Sequence, residues 1–195
     1  LQRDDYVGNM NDSYWLANPA QPDRIYRTFD FGDLVSLHML DTRLIGRDKQ
    51  LDFANYVGAS GFDAAKFTGD LSNPARQLLG AEQTAWLQQA MSASRSQWQV
   101  LGQQVLMARM LVPAPIVLQT LSVSAYGALV AKARTAPQTL TATEQAVLAQ
   151  PAIPYNLDAW DGYAVARETV FGMATALDRN LVVLAGDTHN AWASD

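Results

Sequence analysis

Short apolar runs alternate along this chain with longer segments whose apolar positions recur at helical spacing. "IYRTFDF" (25–31) and "LVSLHML" (34–40) are rich in β-branched and aromatic residues and flank Gly32-Asp33, a pair that predicts a two-residue hairpin turn with glycine first. The second run is apolar on both faces, which predicts a strand buried inside a sheet. In "LGAEQTAWLQQAMSAS" (79–94), Gln83, Trp86, Leu87, Ala90 and Met91 share one face of a helix. "WQVLGQQVLM" (98–107) follows as a second buried strand, so helix and strand together read as half of an α/β unit. Near the end, Tyr163, Ala166, Val170, Ala174 and Leu177 mark one face of a further helix that Asp161 is placed to cap, and "LVVLA" (181–185) is a third buried strand.

The stretches between are less regular. Residues 1–24 are polar and rich in Asn, Asp and Pro, a loop-like entry, and 45–74 read as a long loop with several Gly and Asp. Residues 110–155 carry Pro113, Pro115, Pro137, Pro151 and Pro154 around two helical patterns, one opened by the capping box Thr141-x-x-Glu144. This segment reads as an insertion decorating an α/β sheet. A chain of 195 residues supports one domain with a sizeable core.

Charge and composition narrow the function classes. A net charge of −5 argues against a nucleic-acid partner, which requires a basic stripe. The absence of cysteine excludes disulfides, thiolate metal sites and a cysteine nucleophile. No apolar run is long enough to span a membrane, and no signal-peptide pattern is visible. The chain starts at Leu1 and not at Met, so an upstream segment is expected. Oligomeric state has no signature here. Serine-hydrolase elbows, phosphate-cradling glycine loops and His-Glu-x-x-His motifs are also missing.

The chemistry-bearing residues cluster at strand ends. "LVVLAGDTHN" places Asp187 and His189 just past the carboxyl end of the third strand, the edge where open α/β sheets bind ligands. Two residues apart in extended chain, they point the same way and form half of a site for Fe, Mn or Zn. The alternative is a turn cap at Asp187 and a backbone-bonded His189. In "HMLDTR", Asp41 follows its strand as a metal ligand or an acceptor behind one, and Arg43 either clamps a phosphate or pairs with Asp41. His38, mid-strand, reads as a satisfied core histidine. Gln103 and Gln104 are buried amides that demand partners, whether a metal, a water or a substrate. "NLDAWDGYAVAR" concentrates Asp158, Trp160, Asp161, Tyr163 and Arg167 before the last helix; capping accounts for Asp161, which leaves Asp158 the better catalytic candidate.

Four strings, "YRTFDFGDLVSLHMLDTR", "LLGAEQTAWLQQAMSASRSQWQVLGQQVLM", "DAWDGYAVAR" and "LVVLAGDTHNAWAS", together resemble the PhoD-like alkaline phosphatases of the calcineurin-like metallophosphoesterase superfamily, in that family's order. The resemblance implies part of a four-layer α/β/β/α sandwich around a two-metal centre of iron with calcium. It implies cleavage of phosphate esters, often diesters, by an exported enzyme. It makes Asp187 and His189 metal ligands through the Gly-Asp-x-His form of the last metal motif, with Gln103–Gln104 near the position where the superfamily uses a strand-end His and this branch an amide. The early metal motifs are missing: Asp4-Asp5 runs into Tyr6-Val7, not His-Glu. The expectation is therefore the carboxyl-side part of a catalytic domain, with a non-catalytic fragment or binding module as the alternative.

Overall fold

The computed structural model describes residues 24–186 and 193–194. Its centre is a four-stranded sheet. β1 (Arg27–Phe31) and β2 (Val35–Met39) form an antiparallel hairpin in the register Arg27 opposite Met39 to Phe31 opposite Val35. The turn has three residues, not the expected two, because Leu34 belongs to it; Gly32 supplies its left-handed position at φ +62°.

The segment after β2 is more structured than its polar text predicts. Between 45 and 74 lie a 3₁₀ turn (Phe53–Tyr56), a minimal hairpin of β3 (Val57–Gly58) and β4 (Gly61–Phe62), and α1 (Ala64–Leu71). The aspartates that read as loop markers act as caps: Asp52 accepts from the Ala54 amide and Asp63 from the Lys66 amide, both at 2.9 Å. These elements are too short for their periodicity to show in sequence.

α2 (Gly80–Ala93) leads into β5 (Trp98–Gln103), which runs parallel to β2. Residues 110–155 then close on themselves. β6 (Leu111–Pro113) pairs antiparallel with β7 (Ala152–Pro154), and α3 (Ala114–Val117), α4 (Val123–Thr135) and α5 (Ala142–Leu148) lie between them. The capping box forms as its spacing predicts, with Thr141 and Glu144 satisfying each other's amides. Neither α4 nor α5 buries a residue, and the Lys132–Glu144 ion pair at 2.8 Å ties one to the other. The base is firmer, since Ala114, Ile153 and Leu157 join Tyr56 and Phe67 in a satellite core.

α6 (Ala164–Ala176) and β8 (Asn180–Ala185) complete the unit, β8 parallel to β5, giving the order β1-β2-β5-β8. α2 and α6 both pack on one face, where Leu87, Met91, Val170 and Ala174 meet Leu101, Leu181 and Val183. Each fully buried aliphatic side chain here contributes about 1.5–3 kcal/mol. The opposite face carries Phe29, Phe31, Val35, Leu37, Met39, Trp98, Val100, Val182 and Leu184 in cross-strand register. It stands open: Phe31 is 60% and Leu184 56% exposed, and Val35, Leu37 and Met39 are half-buried. Burial of β2 on both faces is therefore not met among the described residues.

Candidate active site

Asp41, Thr42 and Arg43 emerge at the carboxyl end of β2, beside the end of β5, the edge where a parallel sheet presents ligands. Asp41 is fully buried. Its Oδ1 accepts the amides of Arg43 and Leu44, both at 2.9 Å, which curls the chain away from the sheet. Its Oδ2 is buried and has no partner among the described residues. Gln83 of α2 grips the same residue from behind: its Nε2 donates to the Asp41 carbonyl and its Oε1 accepts the Asp41 amide, each at 2.8 Å. An amide on an otherwise apolar helix face is the signal for this role, although by spacing alone Gln83 is only one member of that face.

Both strand-end glutamines are engaged in the scaffold. Gln104 Oε1 accepts from the Thr42 amide at 2.8 Å and the Thr42 hydroxyl at 2.6 Å, while its Nε2 donates to the Leu40 carbonyl. Gln103 Oε1 accepts from Trp160 Nε1 at 3.0 Å and from the Val105 amide. Gln104 thus pins the turn that holds Asp41, and Gln103 fixes the segment that follows β7.

That segment delivers Asp158 to the same edge. Its carboxylate lies between two guanidinium groups, Oδ2 at 2.5 Å from Arg43 Nη1 and Oδ1 at 2.5 Å from Arg47 Nη2. Arg47 also donates to the Thr42 carbonyl at 3.1 Å and the Asp158 carbonyl at 3.0 Å, and its guanidinium lies 5.0 Å from the Tyr163 ring centroid. Asp158 therefore has a structural partner set that its sequence context did not show, and Arg43 pairs with Asp158 where Asp41 was the expected partner. Arg47 was missed altogether; its spacing of four from Arg43 was the available hint.

Two glycine contacts set these loops. Gly46 (φ +78°) and Gly80 (φ +74°) meet back to back, so that a Cβ on Gly46 would lie 2.6 Å from the Gly80 Cα. A Cβ on Gly162 would lie 2.0 Å from the Leu157 carbonyl oxygen, which is how the 157–162 loop closes. Tyr163 is wholly buried, and burial raises its phenol above the usual range, so it stays protonated and donates to the Asp48 carbonyl at 2.8 Å.

Asp161 does not join Asp158, nor does it cap α6. The 3₁₀ turn Trp160–Tyr163 intervenes, and Asp161 pairs with buried Arg167 through Oδ1 while Oδ2 accepts the Met110 amide at 2.6 Å. A buried guanidinium outcompetes a cap for the carboxylate, since an unpaired charge there costs far more than an unmade cap. His38 is a satisfied core histidine, with Nδ1 2.8 Å from Thr28 Oγ1 and Nε2 2.9 Å from Gln99 Oε1. Asp187 and His189 lie outside the described residues. Among the described residues no three His, Cys, Asp or Glu side chains are grouped to hold a metal; the unpartnered Asp41 Oδ2 is the atom that fits one.

Residues 11–195 match the family model of the PhoD-like phosphatases. The chain belongs to that family. Alkaline phosphatase D of Bacillus subtilis (strain 168) is 34% identical to this PhoD-like chain over 180 residues, covering 91% of the chain and 23% of the relative. The solved structure of PhoD aligns with a TM-score of 0.54 and 29% identity, over 85% of this chain and 24% of that one. The chain thus spans about a quarter of the length of the relatives it matches, and its mixed α/β fold matches that of the solved PhoD structure.

Proposed function

We propose that this PhoD-like chain supplies the carboxyl-side part of a metal-dependent phosphoesterase centre that hydrolyses phosphate diesters or monoesters. The observation that carries the reading is Asp41 Oδ2, a buried carboxylate oxygen at the carboxyl edge of the sheet that has no partner among the described residues. Leaving such an oxygen unsatisfied costs at least about 1–3 kcal/mol, and a cation removes that cost. Asp41 would hold metal together with Asp187 and His189, which follow β8 in sequence; family resemblance names iron and calcium. Bound there, the metals would polarise phosphoryl oxygens and lower the pKa of a bound water.

The chain's own residues divide the remaining work. Arg43 binds the phosphoryl group as a planar cation, using donors that match two of its oxygens. Gln104 and Gln83 hold the Asp41–Thr42 turn, so the carboxylate meets its cation without reorganisation. Asp158 sets the position of Arg43 through their contact. The open apolar sheet face suits a second sheet packed as in a four-layer sandwich, and the resemblance implies export from the cytoplasm.

A second reading, a non-catalytic module that keeps the fold, draws on the lack of a three-donor group among the described residues. Hydrolysis of a chromogenic phosphodiester by the full-length protein separates the two. The phosphoesterase reading expects turnover that chelation abolishes and iron with calcium restores; a metal-replete protein without turnover on diesters or monoesters would sink it.

A further inference from the structure

We infer that Tyr163, together with Arg76, is a positioning residue that locks the loop carrying Asp158 to the loop that follows Asp41; this rests on the reading of that edge as a phosphoryl-binding site. The two loops come from distant parts of the chain and have separate anchors. Gln83 and Gln104 hold the Asp41–Thr42 end of the first. Trp160 ties the second to the end of β5, its Nε1 donating to Gln103 and its amide to the Leu106 carbonyl. Neither anchor joins one loop to the other.

Tyr163 supplies that join. It closes the second loop, is wholly buried, and donates through its hydroxyl to the Asp48 carbonyl of the first at 2.8 Å. Asp48 is itself fixed, because its amide donates to the Gln77 carbonyl at 2.9 Å and its Oδ2 accepts the Gln77 amide at 2.7 Å. Two guanidinium groups lie over the Tyr163 ring, Arg47 at 5.0 Å and Arg76 at 4.8 Å from its centroid. Each also takes one carbonyl from either loop. Arg47 donates to those of Thr42 and Asp158, and Arg76 to those of Lys49 and Gly162 at 3.3 Å. The ring is thus the common support of both bridges. A flat side chain with two torsions suits that place, since it fixes two cations at little cost in conformational entropy. Through this clasp the Asp158 carboxylate meets Arg43 in a set position, on which phosphoryl binding depends. Metal binding does not depend on it, because Asp41 is held by Gln83 and by its own turn.

Steady-state kinetics on a chromogenic phosphodiester with the metal-replete full-length protein, read beside metal content, tests the assignment. In Tyr163→Leu, KM should rise about tenfold while bound metal stays at the parent level and kcat changes far less. Tyr163→Phe keeps the ring beneath both guanidiniums and gives up only the Asp48 bond, so KM should rise less. Val170→Ala, a truncation in the core of α6, controls for stability and should leave KM at the parent value. A purely structural role for Tyr163 predicts instead that Tyr163→Leu and Val170→Ala behave alike. Arg76→Met removes one bridge, should raise KM in the same direction, and decides the matter if Tyr163→Leu fails to fold. A KM that rises equally in Val170→Ala, or that rises only with loss of metal, overturns the inference. No turnover by the parent would sink the phosphoesterase reading itself; turnover with an unmoved KM in Tyr163→Leu or, should that variant not fold, in Arg76→Met would sink only the role of Tyr163.

Discussion

At the scale of single residues, two buried polar groups make the sharpest predictions. Asp161 and Arg167 pair with side chains each 5% exposed. Arg167→Met strands the carboxylate and should cost about 3–5 kcal/mol in urea unfolding, while the double variant with Asp161→Asn should recover much of that loss. Additive losses would show that the pair is not coupled. His38 carries the pH dependence. Burial lowers its pKa below the ordinary 6.5, against a smaller opposing effect from Gln99. Gln99 Nε2 donates to Ser94 and to the Ser96 carbonyl, so its oxygen must accept, which puts the His38 proton on Nε2 and leaves Nδ1 to accept from Thr28. The folded state thus binds its proton less readily than the unfolded state. His38 imposes no penalty above pH 6.5, and stability falls as pH drops below it. Unfolding free energies from pH 7.5 to 5.5 should decline in the parent and flatten in His38→Gln; an equal slope in both would place the titrating group elsewhere. His38 was legible because a histidine between Leu37 and Met39 has nowhere else to point. Asp158 was not, because both of its partners sit more than a hundred residues away in sequence.

At the scale of elements, long periodic segments were legible and short capped ones were not. α2 and α6 carry the apolar faces read from their spacing, with Leu87, Met91, Val170 and Ala174 buried. Trp86 sits at the rim of that core, its ring 4.8 Å from Tyr26, and is only partly buried. α1 and the β3–β4 hairpin escaped notice because eight residues or fewer show no repeat, and their aspartate caps look like loop residues. α4 and α5 raise the opposite issue: clear helical signals, yet no buried residue in either. Their stability rests on capping and the Lys132–Glu144 pair, each of modest size. Amides of 123–148 should therefore exchange with solvent well before those of β5, and Thr141→Ala should speed exchange in α5 without touching the sheet. Equal protection across α4, α5 and β5 would mean that the hairpin is docked against something.

At the scale of the whole molecule, the sheet has one face packed by helices and one apolar face left open among the described residues, while its carboxyl edge gathers Asp41, Arg43, Gln104 and Asp158. The hairpin and the two helix-then-strand units followed from the alternation of patterns, whereas the strand order β1-β2-β5-β8 is set by pairing across the chain. The openness of the second face did not, since an apolar strand reads the same whether or not a neighbour covers it. The edge was legible as a place, from strand ends followed by Asp; its wiring was not, since Gln83, Arg47 and Gly46 act through contacts across the chain. The central claim, that this edge holds a metal through Asp41, is tested most directly by the metal content of the full-length protein carrying Asp41→Asn. Asparagine keeps the Oδ1 that accepts the Arg43 and Leu44 amides, so the turn survives, but it places an amide group where the unpartnered Oδ2 stood. Asp41→Asn should lose tightly bound metal per chain, with a melting temperature at or above that of the metal-free parent. Full metal content in a folded Asp41→Asn protein would contradict it.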